Sequence, residues 1–170
     1  LSQLLFMFEN PRKAAKVIEE GLNRGIVKKE EKTLKAAAQY WHAAKELERA
    51  KPYYLQAATK SKEGELFIFL GQVHFSLDEF DKAEEAISDG INKGKLKDEA
   101  AAYMLLGQIN FENQKWESAI DSFRKCIDVA ERQFDDKKEK QKEKKKRVQD
   151  QARKWVTYTE GEEERVEALK

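Results

Sequence analysis

Two copies of one pattern, 36 residues apart, constrain this 170-residue chain more than any other feature. Glu65-Leu66-Phe67-Ile68-Phe69-Leu70-Gly71-Gln72 aligns with Ala101-Ala102-Tyr103-Met104-Leu105-Leu106-Gly107-Gln108, and Phe80-Asp81-Lys82-Ala83 aligns with Trp116-Glu117-Ser118-Ala119. Self-similarity at a period in the thirties marks an array of helix pairs, each burying its apolar face on the next.

Extending that register gives four units, 1–30, 31–63, 64–96 and 97–133. The small residues Ser2, Ala38, Gly71 and Gly107 fall at steps of 36, 33 and 36, and Ala14, Ala50, Ala83 and Ala119 fall at the same steps. Small side chains are what two helices need where they cross closely. Gly21-Leu22-Asn23-Arg24-Gly25 matches Gly90-Ile91-Asn92-Lys93-Gly94 at a distance of 69, so alternate junctions share a longer connector.

The helices follow from apolar spacing. Leu1 to Phe8 is apolar nearly all round, and Glu9-Asn10-Pro11 reads as a turn with Pro11 at the first helical position. Ala14, Val17, Ile18 and Leu22 form one stripe after it. The second unit pairs a helix from about Glu31 to Ala43 with one from about Glu46 to Thr59, the latter with Pro52 in its first turns. Later boundaries fall at Ser76-Leu77-Asp78 and Asn113-Gln114, with Asp78 expected to cap the helix after it. Charged residues at 38% with only two Pro agree with a helical, surface-rich chain.

The tail differs. Asp135 to Arg147 holds eight basic and four acidic side chains and no aliphatic one, so 134–147 reads as a charged linker or helix extension. Val148, Ala152, Trp155, Val156 and Thr159 form a stripe, which predicts a capping helix over 148–160 with Trp155 and Tyr158 packed on the fourth unit. Residues 161–170 are expected to fray.

Leu70-Gly71, His74, Phe80, Ala83 and Ile87 resemble the tetratricopeptide repeat pattern, and so do Leu106-Gly107, Asn110, Trp116, Ala119 and Phe123. The first two units depart from it, with Ser2 or Ala38 for the usual Gly and Pro11 for the usual aromatic. The usual Pro at the repeat end is missing throughout. The resemblance covers roughly 1–133. It implies an all-α solenoid, a right-handed superhelix of antiparallel helix pairs with a concave face, closed by a C-terminal capping helix. Asn10-Pro11-Arg12-Lys13-Ala14-Ala15, with Trp155 and Tyr158, is also similar to bacterial envelope proteins of this class, which implies a bacterial, periplasmic setting. A chain that opens in mid-helix without Met is expected to be a fragment of a longer protein.

In that family the residues after the small position line a peptide groove. Here these are Gln3, Gln39, Gln72 and Gln108, with Phe6, His42, Phe75 and Phe111 three residues further on. The resemblance therefore implies a non-catalytic protein–protein interaction scaffold whose partner-binding residues are Gln39, His42, Gln72, Phe75, Gln108 and Phe111, and whose partner is a protein or peptide. Two other readings stay open at these positions: the glutamines bond to one another between repeats, and the aromatic row is core. A clamp for a terminal carboxylate has Lys35 and Gln39 in place but meets Phe69, Ala101 and Leu105 where its other members belong.

Two alternatives compete. Leu1, Leu4, Leu5 and Phe8 offer an apolar end for self-association into a homo-oligomer. The basic segment 137–147 offers charge to RNA or an anionic surface, although a net charge of +1 and the absence of aromatics in that run argue against nucleic acid. His42 and His74 sit in different units with no metal-ligand spacing. Cys126 stands alone between Phe123 and Ile127 at a core-type position. With no Gly-rich phosphate loop and no nucleophile–base pair, the reading is no enzyme, no cofactor and no small-molecule substrate. No apolar run approaches the roughly 20 residues that span a bilayer, so no membrane contact is expected.

Overall fold

The computed structural model describes the backbone of residues 1–7 and 10–170, and the side chains of these residues apart from Leu4, Leu5 and Met7. The expectations placed on Phe8, on Glu9 and on the Leu4 and Leu5 side chains lie outside the described residues. Among those described there are nine α-helices and no strand: α1 (Ser2–Met7), α2 (Pro11–Asn23), α3 (Glu31–Ala43), α4 (Leu47–Lys60), α5 (Glu65–Phe75), α6 (Phe80–Lys93), α7 (Glu99–Glu112), α8 (Trp116–Gln133) and α9 (Glu139–Glu167). They divide into two compact units, Leu1–Lys95 with α1 to α6 and Leu96–Lys170 with α7 to α9.

In the first unit α2 opens with Pro11, whose missing N–H would be unpaired there anyway, and Asn10 Oδ1 accepts the Lys13 N–H at 3.2 Å. The α3–α4 turn places Lys45 at φ 62°, and Glu46 N–H returns to the Trp41 carbonyl at 3.0 Å. The α5–α6 turn repeats this 33 residues on, with Asp78 at φ 57° and Glu79 N–H bonded to the His74 carbonyl at 3.0 Å. Asp78 is therefore not the cap expected of it. It takes the left-handed position, which a short polar residue tolerates, and Glu79 stands at the N-cap without a side-chain cap bond. Pro52 lies inside α4, which nonetheless continues to Lys60.

The core of this unit joins Leu34, Ala37, Ala38 and Trp41 of α3 to Ala50, Tyr54, Ala57 and Ala58 of α4 and to Leu66, Leu70 and Val73 of α5. Each fully buried Leu or Ile contributes about 1.5–3 kcal/mol of transfer free energy. The small row of first helices meets a large row of second helices. A Cβ on Gly71 would lie 2.4 Å from Ile87 Cδ1, and Ile87 shares its repeat position with Ile18, Tyr54 and Phe123. Gly64 is required more strictly. Its N–H donates to the Gly94 carbonyl at 2.8 Å, and a Cβ there would stand 1.9 Å from the Gly90 carbonyl oxygen. Backbone cannot rotate away as a side chain can, so only glycine allows that approach.

In the second unit Asp98 caps α7, its Oδ1 accepting the Ala101 N–H at 3.0 Å. The α7–α8 turn repeats the pattern again, with Gln114 at φ 57° and Lys115 N–H bonded to the Asn110 carbonyl at 2.8 Å. A Cβ on Gly107 would meet the Phe123 ring at 2.4 Å. Ala100, Cys126, Val129, Ala130, Phe134 and Ala152 form the core. Burial, with Asp98 adding to it, pushes the Cys126 thiol up to about 11.

The tail departs from the boundaries expected. Of the charged linker or helix extension expected over 134–147 the structure has the helix, from Glu139 on. From there α9 runs unbroken through the helix expected over 148–160 and on to Glu167, into the stretch expected to fray, packing along α8. The charged run is held by neighbouring carboxylates. Lys144 Nζ reaches Asp98 at 2.7 Å, and Lys145 Nζ reaches Asp136 at 2.6 Å and Glu131 at 3.0 Å. Lys145 is thereby buried at 8% exposure, a position that a lysine holds only when paired.

Candidate interaction surface

On α3 and α5 the small residue faces the partner helix, and the next residue is turned 100° from it. Gln39 and Gln72 are accordingly exposed, while Gln108 on α7 is half-buried. Among the described residues the side chains of Gln39 and Gln72 make no hydrogen bond, although the Gln72 backbone carbonyl accepts the Ser76 hydroxyl at 2.8 Å. Gln3 is likewise exposed, and Phe6 stacks on Tyr40 at 4.6 Å.

The residues three positions further on are partly internal. His42 Nδ1 lies 3.2 Å from the Tyr54 hydroxyl, with the two rings edge-on at 6.0 Å. Burial, then Lys45, lowers the His42 pKa, so the imidazole is neutral at neutral pH. Burial pushes the Tyr54 hydroxyl up to about 12. Phe75 is half-buried 6.0 Å from Phe80, and Phe111 is half-buried 5.2 Å from Trp116. Each ring thus braces the turn between its two helices and leaves one side open to a neighbour. For Phe111 that neighbour is present: Trp155 and Tyr158 of α9 each stand 5.4 Å from it. Trp155 also stacks on Phe123 at 5.4 Å.

Of the six residues expected to bind a partner, Gln39, His42, Gln72 and Phe75 lie in the first unit on α3 and α5. Gln108 and Phe111 lie in the second unit on α7, with Phe111 under α9.

Sequence reasoning passed over an ionic knot in the first unit. Glu79 meets His74 Nδ1 at 2.5 Å, Lys51 Nζ at 3.0 Å and Lys82 Nζ at 3.3 Å. The hydrogen bonds from His74 and then Lys51 hold its carboxyl at about 2. His74 and Glu79 face each other across a tight turn and were within reach of local spacing. Lys51 comes from the previous repeat and leaves no local signal.

Among the described residues no His, Cys, Asp and Glu cluster is arranged to hold a metal ion, and no helix is long and apolar enough to cross a membrane.

A family model described as "Tetratricopeptide repeat protein 21 forth ARM domain" matches residues 43–159. No curated protein sequence matches the chain. Among solved structures, it is similar to MamA 41-end from Desulfovibrio magneticus RS-1, at 16% identity and TM-score 0.63 over 96% of this chain and 91% of that one. It is also similar to the TPR-like repeats of a kinesin light chain from Podosopora anserina, at 10% identity and TM-score 0.67 over 98% and 88%. A third likeness is to PilF of Pseudomonas aeruginosa, at 14% identity and TM-score 0.60 over 93% and 72%. These likenesses and the helix order establish an all-α helical-repeat solenoid of the tetratricopeptide type. The matched segment covers most of the chain, which belongs to the family of the fourth ARM domain of tetratricopeptide repeat protein 21.

Proposed function

We propose that the chain is a non-catalytic protein-interaction scaffold. In this reading it holds an extended peptide or a helix against Gln39 and His42 of α3 and Gln72 and Phe75 of α5. The observation that carries it is the state of the two glutamine side chains, exposed at the same repeat position and without an internal hydrogen-bond partner among the described residues. Each offers a donor and an acceptor to a partner's backbone, and the half-buried rings of His42 and Phe75 beside them supply anchor contacts. In the second unit Gln108 holds the matching place, but Trp155 and Tyr158 already cover Phe111.

The test is capture from source-cell lysate by the chain and by a Gln39→Glu/Gln72→Glu variant with an unchanged circular dichroism spectrum. A protein held by the parent and released by the variant is expected. Equal capture removes the reading.

Self-association is a second reading. Leu1 at 81% and Ile26 at 67% exposure border a groove of about 560 Å³ among α1, α2 and α3, lined also by Val17, Val27 and Tyr40. Sedimentation showing only monomer at the highest soluble concentration removes it. For RNA or an anionic surface, the carboxylate partners of Lys144 and Lys145 already engage two cations of the basic run, and binding that ignores salt would remove that reading.

A further inference from the structure

The first unit contains one groove twice, in two versions. Between α2 and α4 the gap is about 310 Å³ and is lined by Glu19, Arg49, Tyr53 and Gln56 over Leu34. A strap crosses it: the Tyr53 hydroxyl donates to Glu19 at 2.9 Å, and Arg49 pairs with Glu19 at 3.0 Å. Advancing one repeat puts Leu55 at the place of Glu19, Lys82 at Arg49, Ala86 at Tyr53, and Phe67 at Leu34. The strap is lost with them. Between α4 and α6 there remains a groove of about 480 Å³, floored by Phe67 and Leu70 and walled by Pro52, Leu55 and Ala86. Leu55 is 50% exposed on its wall.

The rim changes as well. Pro52 and Gln56 of the earlier gap give way to Glu85 and Asp89, which stand one turn apart on α6 and are exposed. Neither carboxylate is paired with a cation among the described residues. Lys51, at one end of the groove, is engaged by Glu79 and Glu48. Lys82 on the rim is held by Glu79 at 3.3 Å, and Lys93, whose Nζ stands 5.2 Å from the Phe67 ring, donates to the Ala58 carbonyl at 2.7 Å. The charged groups of the groove lining that have no ionic partner among the described residues are therefore the two carboxylates of α6.

We infer that this α4–α6 groove is a docking site for a short segment of a partner protein that carries an aromatic or large aliphatic side chain next to a Lys or Arg. The anchor takes the volume that Tyr53 fills one repeat earlier, and burying it there removes both its own surface and that of Leu55 from water. The cation meets Glu85 and Asp89. At 100° per residue, Phe67, Leu70 and His74 lie on the side of α5 opposite Gln72, so this site is separate from the glutamine face and does not depend on it.

The test pans the full chain against a random short-peptide library, then titrates the selected peptides, fluorophore-labelled, against the chain and three variants. Selected peptides are expected to pair an aromatic or large aliphatic residue with Lys or Arg. Leu55→Glu/Ala86→Tyr, which rebuilds the strap of the earlier gap, is expected to weaken them by about tenfold or more. Glu85→Lys/Asp89→Lys should abolish the preference for a basic residue, and Gln39→Glu/Gln72→Glu should leave binding unchanged. Circular dichroism establishes that each variant is folded. Should one not fold, amide shifts of Phe67, Ala86 and Asp89 on peptide addition to the parent chain decide. A library that yields no peptide, selected peptides without the apolar–basic pairing, unchanged affinity for the strapped variant, or shifts confined to other residues would each overturn the inference.

Discussion

Phe75 and Phe111 stand at the same place in two repeats, 36 residues apart, and each braces the turn after its helix. Their surroundings then diverge. Phe111 is enclosed by Trp155 and Tyr158 of α9, whereas Phe75 has Phe80 as its ring neighbour. The turns differ too, with Glu79 and its ionic knot in one and Lys115 at the matching place in the other. A repeat position sets the direction in which a side chain leaves its helix. What meets it there depends on the next helix, and α9 is not a copy of anything earlier in the chain.

The largest expected effect comes from removing the cover. Trp155→Ala should cost about 3 kcal/mol, at the low end for a tryptophan because the ring is half-buried, and urea midpoints will read it. Hydrogen exchange should localise the loss to α7, α8 and α9. A smaller loss, spread evenly over the chain, would mean that α9 leans on the second unit without stabilising it.

Truncating the two phenylalanines sharpens the same contrast. Phe111→Ala is expected to cost about 3 kcal/mol and Phe75→Ala about 1–2 kcal/mol, the difference being the contacts with α9. Equal costs would show that the turn brace dominates in both units. The glycines behind them give a third comparison. Gly107→Ala drives a methyl against the rigid Phe123 ring, and Gly71→Ala drives one against the end of the flexible Ile87 side chain. Overpacking should cost about 2 kcal/mol at Gly107 and about 1 kcal/mol at Gly71, again read as urea midpoints.

The smallest effect is a pH dependence confined to the first unit. The Glu79 carboxyl, ordinarily near 4.5, is held at about 2 by His74 and Lys51. A depressed carboxyl stabilises the folded state fully above its unfolded value and loses that contribution as pH falls toward the folded one. Stability of α5 and α6 should therefore decline between pH 4.5 and about 2 more steeply in the parent than in Glu79→Gln. Parallel acid titrations of the two, followed by hydrogen exchange in α5 and α6, check this.

Much of the fold was legible in the residues alone. The steps of 36, 33 and 36 located the helix pairs, because a small residue must recur wherever two helices cross closely. The same steps also carry the turn. Lys45, Asp78 and Gln114 share positive φ in the register of the repeats, so Asp78 could have been assigned to that turn and not to a cap. Of the candidate surface, the order of Gln39, His42, Gln72 and Phe75 along α3 and α5 was legible, since helical spacing alone sets which way they point. Their exposure was not, because it depends on which neighbours come to rest beside them.

The chain by itself determined the helices, the repeat register and the two rows of small residues, all of which follow from local spacing and volume. Tertiary structure alone decided three further matters. It paired Lys144 with Asp98, 46 residues away, and so settled as helix a run expected to be a linker or a helix extension. It chose Phe111 and Phe123 as the rings that Trp155 meets, where the sequence said only that Trp155 packs on the fourth unit. It also left the α4–α6 groove open where its predecessor is strapped shut. Each of these joins residues far apart in sequence, and the free energy that selects them exists only after the helices have packed.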